Sequence, residues 1–181
     1  MPGCCSGDAA PAAAACCGAG PTRDSGSRTV TVEFLYLDLE RCSRCRETER
    51  VLEEALAEVG PVLRTTGVEL ELRKVHVQNE EQAREVGLVT SPTIRINGRD
   101  LEEELQESLC NDCSDLCGDE VNCRVWSYRG EEYPVPPKAL LVEALLRAAY
   151  GQWEEAGTPA GKRGVPENLR RFFRRRSSEG G

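Results

Sequence analysis

Apolar and polar positions alternate from Thr29 to Leu37, and Val30, Val32, Phe34 and Tyr36 fall on one side of an extended chain rich in β-branched and aromatic residues. That is the pattern of a central strand. Past a short polar loop the period changes. Thr48, Leu52, Ala55, Leu56 and Val59 recur at helical spacing as one apolar stripe, which predicts a helix ending at Gly60-Pro61. Val68, Leu70 and Leu72 then alternate with Glu69, Glu71 and Arg73. This second strand is joined to the first through the helix, so the two are expected to run parallel with a right-handed crossover.

A short polar helix is predicted from Asn79 to Val86, then a strand from Thr93 to Ile96 closed by Asn97-Gly98, a strong signal for a two-residue hairpin turn. A short fourth strand should start near Arg99, and Glu102 to Glu107 reads as helical. After Pro136-Pro137, the stretch Ala139 to Tyr150 sets Leu141, Leu145, Ala148 and Ala149 on one side of a closing helix. The order βαβ, helix, ββ, helix predicts an α/β domain over residues 28–150: a four-stranded mixed sheet flanked by helices, with a cysteine-rich insertion at about 104–130 before the last helix.

The ends read differently. Residues 1–27 are Ala, Gly, Pro and Ser with four cysteines and no period, the composition of a flexible tail. Residues 151–181 hold seven Lys/Arg against four Glu and read as a second, basic tail, with Asn168-Leu-Arg-Arg-Phe-Phe-Arg-Arg-Arg176 solvated. The whole chain carries a net charge of −8, so the body is acidic and nucleic acid is not an expected partner. No apolar run approaches the ~18 residues of a membrane span. The amino end carries Asp8, lacks an early Lys or Arg and has only an interrupted apolar stretch. These features predict a cytoplasmic protein, in which ten cysteines read as reactive or metal-binding thiols rather than a permanent disulfide frame.

Cys42-Ser-Arg-Cys45 falls at the predicted start of the first helix. Two intervening residues let the sulfurs approach disulfide distance, and the helix's positive end stabilises a thiolate on the first. Cys42 is the expected nucleophile and Cys45 its resolving partner, side by side and open to solvent; a soft-metal site, a zinc half-site or inert thiols are the other readings. Arg41, Arg44 and Arg46 would lower the Cys42 pKa and Asp38 and Glu40 would raise it. Ser91, Pro92 and Thr93 are the expected substrate-binding residues. Pro92 is read as cis, which would leave the backbone of Ser91 free to pair with a peptide or small thiol.

Cys110, Cys113, Cys117 and Cys123 form a second group in the insertion. Four thiolates suit a zinc ion or an iron–sulfur cluster, and two disulfides satisfy the same letters. The adjacent pairs Cys4-Cys5 and Cys16-Cys17 are candidates for a soft ion such as mercury, arsenite or copper(I). His76, the single histidine, is expected to be a satisfied strand residue with no assigned role.

Residues from about 29 to 150 resemble a thioredoxin-like family of unknown function, often labelled glutaredoxin-like. The resemblance is carried by Cys42-Ser-Arg-Cys45, Ile94-Arg-Ile-Asn-Gly98, the block Cys113 to Arg124, and Tyr128-Arg-Gly-Glu-Glu-Tyr133. It implies a thioredoxin-like fold and no established substrate. The sequence lacks the Trp-Cys-Gly-Pro-Cys of thioredoxins and the Cys-Pro-Tyr-Cys of glutaredoxins. Three functions follow as expectations. The first is thiol–disulfide exchange on a protein disulfide or small thiol, with no cofactor required. The second is binding or delivery of soft metal or metalloid ions, and the third is a non-catalytic interaction module.

Overall fold

The computed structural model describes residues 28–102, 104–117, 121–151 and 164–179, apart from the side chains of 116, 117 and 177–179. The order is β1 (Arg28–Tyr36), α1 (Ser43–Thr65), β2 (Val68–His76), α2 (Glu80–Glu85), β3 (Thr93–Ile96), β4 (Arg99–Asp100), β5 (Gln106–Leu109), α3 (Asn111–Cys117), β6 (Asn122–Tyr128), β7 (Glu131–Tyr133), α4 (Lys138–Ala149) and α5 (Glu167–Glu179). β1 to β4 make a mixed four-stranded sheet in the order β2-β1-β3-β4. β1 and β2 are parallel from Arg28↔Val68 to Tyr36↔His76, and β1 and β3 are antiparallel.

The alternation in β1 sorts its side chains between two cores. Val30, Val32 and Phe34 join Leu52, Ala55, Val59 and Leu63 of α1 and Leu141, Ala144 and Leu145 of α4. Leu35 and Leu37 join a second cluster containing Val77, Ala83 and Leu88. The Asn97-Gly98 hairpin forms as expected, with both residues at positive φ (50° and 77°), the requirement of a type I′ turn. Asn97 also accepts the Thr31 N–H through its side chain at 3.0 Å, which ties the turn to β1.

Three expectations are corrected. Helix α1 does not stop at Gly60-Pro61 but runs to Thr65 with Pro61 inside it. A proline removes one helical N–H, and the last turn is held by Leu63, which is fully buried, and by the Thr66 N–H donating to Arg64 and Leu63 carbonyls. The described residues of the segment Glu102–Glu107 are not helical. Its end enters β5, which pairs with β6 from Gln106↔Val125 to Leu109↔Asn122, so a ladder partner overrides the helix preference of Glu and Leu. The insertion is thereby a three-stranded sheet, β5-β6-β7.

The third correction concerns the carboxyl end. The stretch read as a solvated basic tail contains α5, and its Leu169, Phe172 and Phe173 are 0–4% exposed within the second core cluster. Residues 1–27, with Cys4, Cys5, Cys16 and Cys17, lie outside the described residues.

Candidate metal centre

The loop after β1 delivers Cys42 to the amino end of α1. Asp38 shapes that loop by accepting the N–H groups of Glu40 and Arg41 at 2.8 and 2.9 Å. Cys42 is the N-cap, its backbone extended, and its Sγ accepts the Cys45 N–H at 3.4 Å. A sulfur in this position takes up one of the helix's unpaired amides, as a capping oxygen does.

The insertion brings three further cysteines to the same point. Cys110 follows β5, Cys113 lies in the first turn of α3, and Cys123 lies on β6 opposite Ser108. Cys110 donates its N–H to Val121 at 2.8 Å and its carbonyl accepts from Ser114, closing the α3 loop into a tight bracket. Three hydrogen bonds dock this bracket on α1: the Ser43 N–H donates to Asp112 Oδ2 at 2.6 Å, and Arg44 donates to Ser108 Oγ at 2.9 Å and to the Leu109 carbonyl at 3.0 Å.

The Sγ atoms of Cys42, Cys110, Cys113 and Cys123 all lie within 4.8 Å of one another. Cys113 and Cys123 are 3.8 Å apart. Two sulfurs each about 2.3 Å from a common ion at the tetrahedral angle stand about 3.8 Å apart, whereas a disulfide needs about 2.0 Å. The four residues are 0–2% exposed, and no disulfide links the cysteines among the described residues. This group could hold a metal ion.

The electrostatics of the quartet follow from crowding. Cys42 is held far below the ordinary thiol range, first by its hydrogen bond with Cys110, then by Cys113, Cys123 and Cys45, with burial opposing. Cys110 is lowered, chiefly by Cys113. Cys113 and Cys123 are pushed well up, each first by Cys110. Proton sharing thus leaves part of the group charged and part neutral, because four adjacent thiolates cannot all ionise in a buried site without a cation.

The candidates named from sequence fall into three groups. Cys42, Cys110, Cys113 and Cys123 come together, with Cys42 as the fourth sulfur. Cys117 ends α3, and its side chain is outside the described residues. Cys45 lies behind Cys42, fully buried, with its Sγ 3.6 Å from Ser91 Oγ. Its pKa is raised, first by the hydrogen bond with Cys42 and then by burial.

Two expectations about this region are corrected. Cys42 and Cys45 are not open to solvent: both are 0% exposed, because the insertion and α5 join them in one core cluster. The Ser91-Pro92 bond is cis, yet Ser91 is not free to receive a peptide. The Arg124 N–H donates to the Ser91 carbonyl at 3.0 Å, and Ser91, Pro92 and Thr93 are buried. His76 is satisfied as expected, with its ring stacked on Tyr36 and its Nε2 3.0 Å from the Leu37 carbonyl.

Arg124 itself escaped sequence reasoning. Its guanidinium is 1% exposed, spans both carboxylate oxygens of Asp100 and lies 5.0 Å from the centre of the Trp126 ring. The available signal was its position next to Cys123 in the apolar run Val-Trp.

Comparison with known proteins places these elements in one family. The sequence pattern described as Domain of unknown function (DUF2703) matches residues 30–145. The chain is also 33% identical over 98 residues to an uncharacterized protein of Archaeoglobus fulgidus, covering 52% of this chain and 69% of that protein. No solved structure matches the chain. The chain belongs to the DUF2703 family.

Proposed function

We propose that this member of the DUF2703 family is a thiolate metal-binding protein, in which Cys42, Cys110, Cys113 and Cys123 take one thiophilic dication on a thioredoxin-like scaffold. The observation that carries this reading is the compact set of four sulfurs, with its 3.8 Å edge between Cys113 and Cys123. All four ligands come from the protein and all are buried. Closed four-sulfur shells of this kind suit zinc in a structural or storage role, since catalytic sites keep one position open. An iron–sulfur cluster also uses four cysteines, but it interposes irons and sulfides and sets the thiolates wider apart. The compact spacing favours a single ion.

In this reading the ion joins the head of α1 to α3 and β6. Structural zinc supplies apparent binding free energies of about 10–16 kcal/mol near neutral pH, and that energy becomes folding energy. Cadmium and mercury share the preference for sulfur. Cys4-Cys5 and Cys16-Cys17 would collect such ions for delivery to the centre. Buried reduced thiols suit a reducing compartment, and we assign the protein to the cytoplasm.

The second reading is thiol–disulfide exchange, favoured by Cys42 at the helix N-cap and by Cys45, whose Sγ is 3.6 Å from Ser91 Oγ. Cys42 thiolate would attack one sulfur of a substrate disulfide and release the other as a thiolate. Cys45 would then displace the substrate, leaving a Cys42–Cys45 disulfide and a reduced substrate. Burial of both thiols and the Arg124–Ser91 hydrogen bond weigh against it.

Native mass spectrometry of the anaerobically purified full chain, before and after chelation, tests the choice. One bound ion per chain, lost together with the folded-state charge distribution on chelation, is expected. A metal-free chain that carries a Cys42–Cys45 disulfide would overturn the metal reading.

A further inference from the structure

Helix α5 supplies none of the four ligands, yet its Leu169, Phe172 and Phe173, with Val165 just before it, belong to the same buried cluster as the five cysteines. It lies beyond residues 30–145, the span that matches the family. It adds no strand to either sheet and packs on α2 and on α3, the helix that carries Cys113. Both sheets are therefore formed without it. What α5 adds is cover over the cysteine side.

Polar contacts also fasten it, from the half-exposed Arg170 to the exposed Arg176. Arg170 meets Glu80 of α2 at 3.4 Å, Asn168 Nδ2 donates to Glu107 at 3.4 Å, and Arg176 donates to the Leu37 carbonyl at 3.2 Å. Arg176 also stands 3.4 Å from Asp38, whose carboxylate shapes the loop entering Cys42. Exposed ion pairs contribute little and are screened by salt. An element held by one apolar face and by such contacts can open locally while the sheets stay intact.

We propose that α5 is a removable cover for the thiolate centre, setting how fast ions and thiol reagents reach the sulfurs rather than how tightly an ion is held. The proposal rests on the metal reading for its role in ion exchange, but the cover can be tested without metal. Docked, α5 keeps Cys42, Cys45, Cys110, Cys113 and Cys123 out of solvent. Undocked, it opens a path to them from the α3 side, and its contact with Asp38 links docking to the Cys42 loop.

The test uses the full chain in two arms: release of zinc to excess chromophoric chelator by stopped flow, and iodoacetamide labelling of the five thiols in metal-free protein, read by mass. In the double variant L169A/F172A, release and labelling should each accelerate by at least about tenfold, with one zinc still bound per chain. Arg176→Ala should accelerate both a few-fold, and high salt should do the same to the parent protein. Unchanged labelling in a folded L169A/F172A variant overturns the cover. Should that variant fail to fold, unchanged labelling in Arg176→Ala and in high salt overturns it. A parent chain that takes up no zinc, with labelling still accelerated in the variants, overturns the metal reading and leaves the cover standing.

Discussion

The backbone N–H of Arg124 donates to the carbonyl oxygen of Ser91 at 3.0 Å, so the strand that carries Cys123 occupies the edge beside the cis proline. The donor of this hydrogen bond is the residue next to Cys123 of the quartet. The insertion therefore occupies the Ser91 carbonyl, where a substrate was expected to pair, and also completes the sulfur group. The chain answers its own cis-proline loop.

It follows that a trap for mixed disulfides should stay empty while the centre is intact. Cys45→Ser removes the thiol that exchange would need for resolution without removing any of the four sulfurs, so the variant should keep one ion per chain. Cell extract incubated with it should give no Cys42-linked partner on non-reducing gels. A set of partners captured in the metal-loaded state would instead support the exchange reading.

Replacing a member of the quartet should act quite differently. Cys113→Ser or Cys123→Ser breaks the tetrahedral set and should weaken zinc binding by more than about a hundredfold, beyond the ~10–100-fold cost of losing an outer-shell partner. Cys117→Ser should retain the ion, because Cys42 supplies the fourth sulfur. Competition titration with a chelator of known affinity reads both outcomes.

Much of the chain up to the Asn97-Gly98 turn was legible because its signals are local. The alternation in β1 and β2, the Asn97-Gly98 turn and the placing of Cys42 at a helix start all came through unchanged. Residues that depend on distant partners did not. Nothing near Cys42 announces that it joins Cys110, Cys113 and Cys123, because α3 and β6 are brought to it by the docking of the whole insertion. The stretch Cys123 to Trp126 is buried at every position, so β6 lacks the alternation of a half-exposed strand. Its hairpin uses Arg129-Gly130, both at positive φ, and arginine is a poor advertisement for that conformation. In α5 the helical spacing of Leu169, Phe172 and Phe173 was present in the letters, but five surrounding arginines gave the segment the composition of a solvated tail.

The buried arginine beside the centre offers a stability test. Asp100→Ala would leave the Arg124 guanidinium, 1% exposed, without its carboxylate. Removing one partner of a buried pair costs about 3–5 kcal/mol. Asp100 is itself 23% exposed, so a loss of about 3 kcal/mol is expected. A lowered urea midpoint with an unchanged slope checks it.

Gly60 offers a change of the opposite sign. It is a buried helical glycine, and a Cβ there would sit 3.5 Å from the Arg64 guanidinium and 3.9 Å from Leu70, ordinary contact distances. Gly60→Ala restricts the unfolded chain, but Pro61 follows it in the helix and a proline ring crowds a Cβ on the residue before it, so the gain in stability should be no more than about 0.5 kcal/mol. The thermal midpoint should rise accordingly, with metal content unaffected.

The final prediction concerns pH. Glu102 is pushed above the usual carboxylate range, first by burial; the Ser127 N–H, which it accepts at 2.6 Å, and the Arg124 charge partly oppose the shift. A carboxyl whose folded pKa exceeds its unfolded value binds more protons in the folded state between the two values, so its contribution to stability falls as pH rises through that window. Glu102→Gln keeps an acceptor for Ser127 and removes the charge. The variant should therefore be more stable than the parent at neutral pH, and the advantage should shrink as the pH falls and vanish below the unfolded pKa of about 4.3. Urea unfolding of both proteins in their metal-free forms across this range measures the difference. A constant difference at all pH values would show that the carboxyl's protonation plays no part in it.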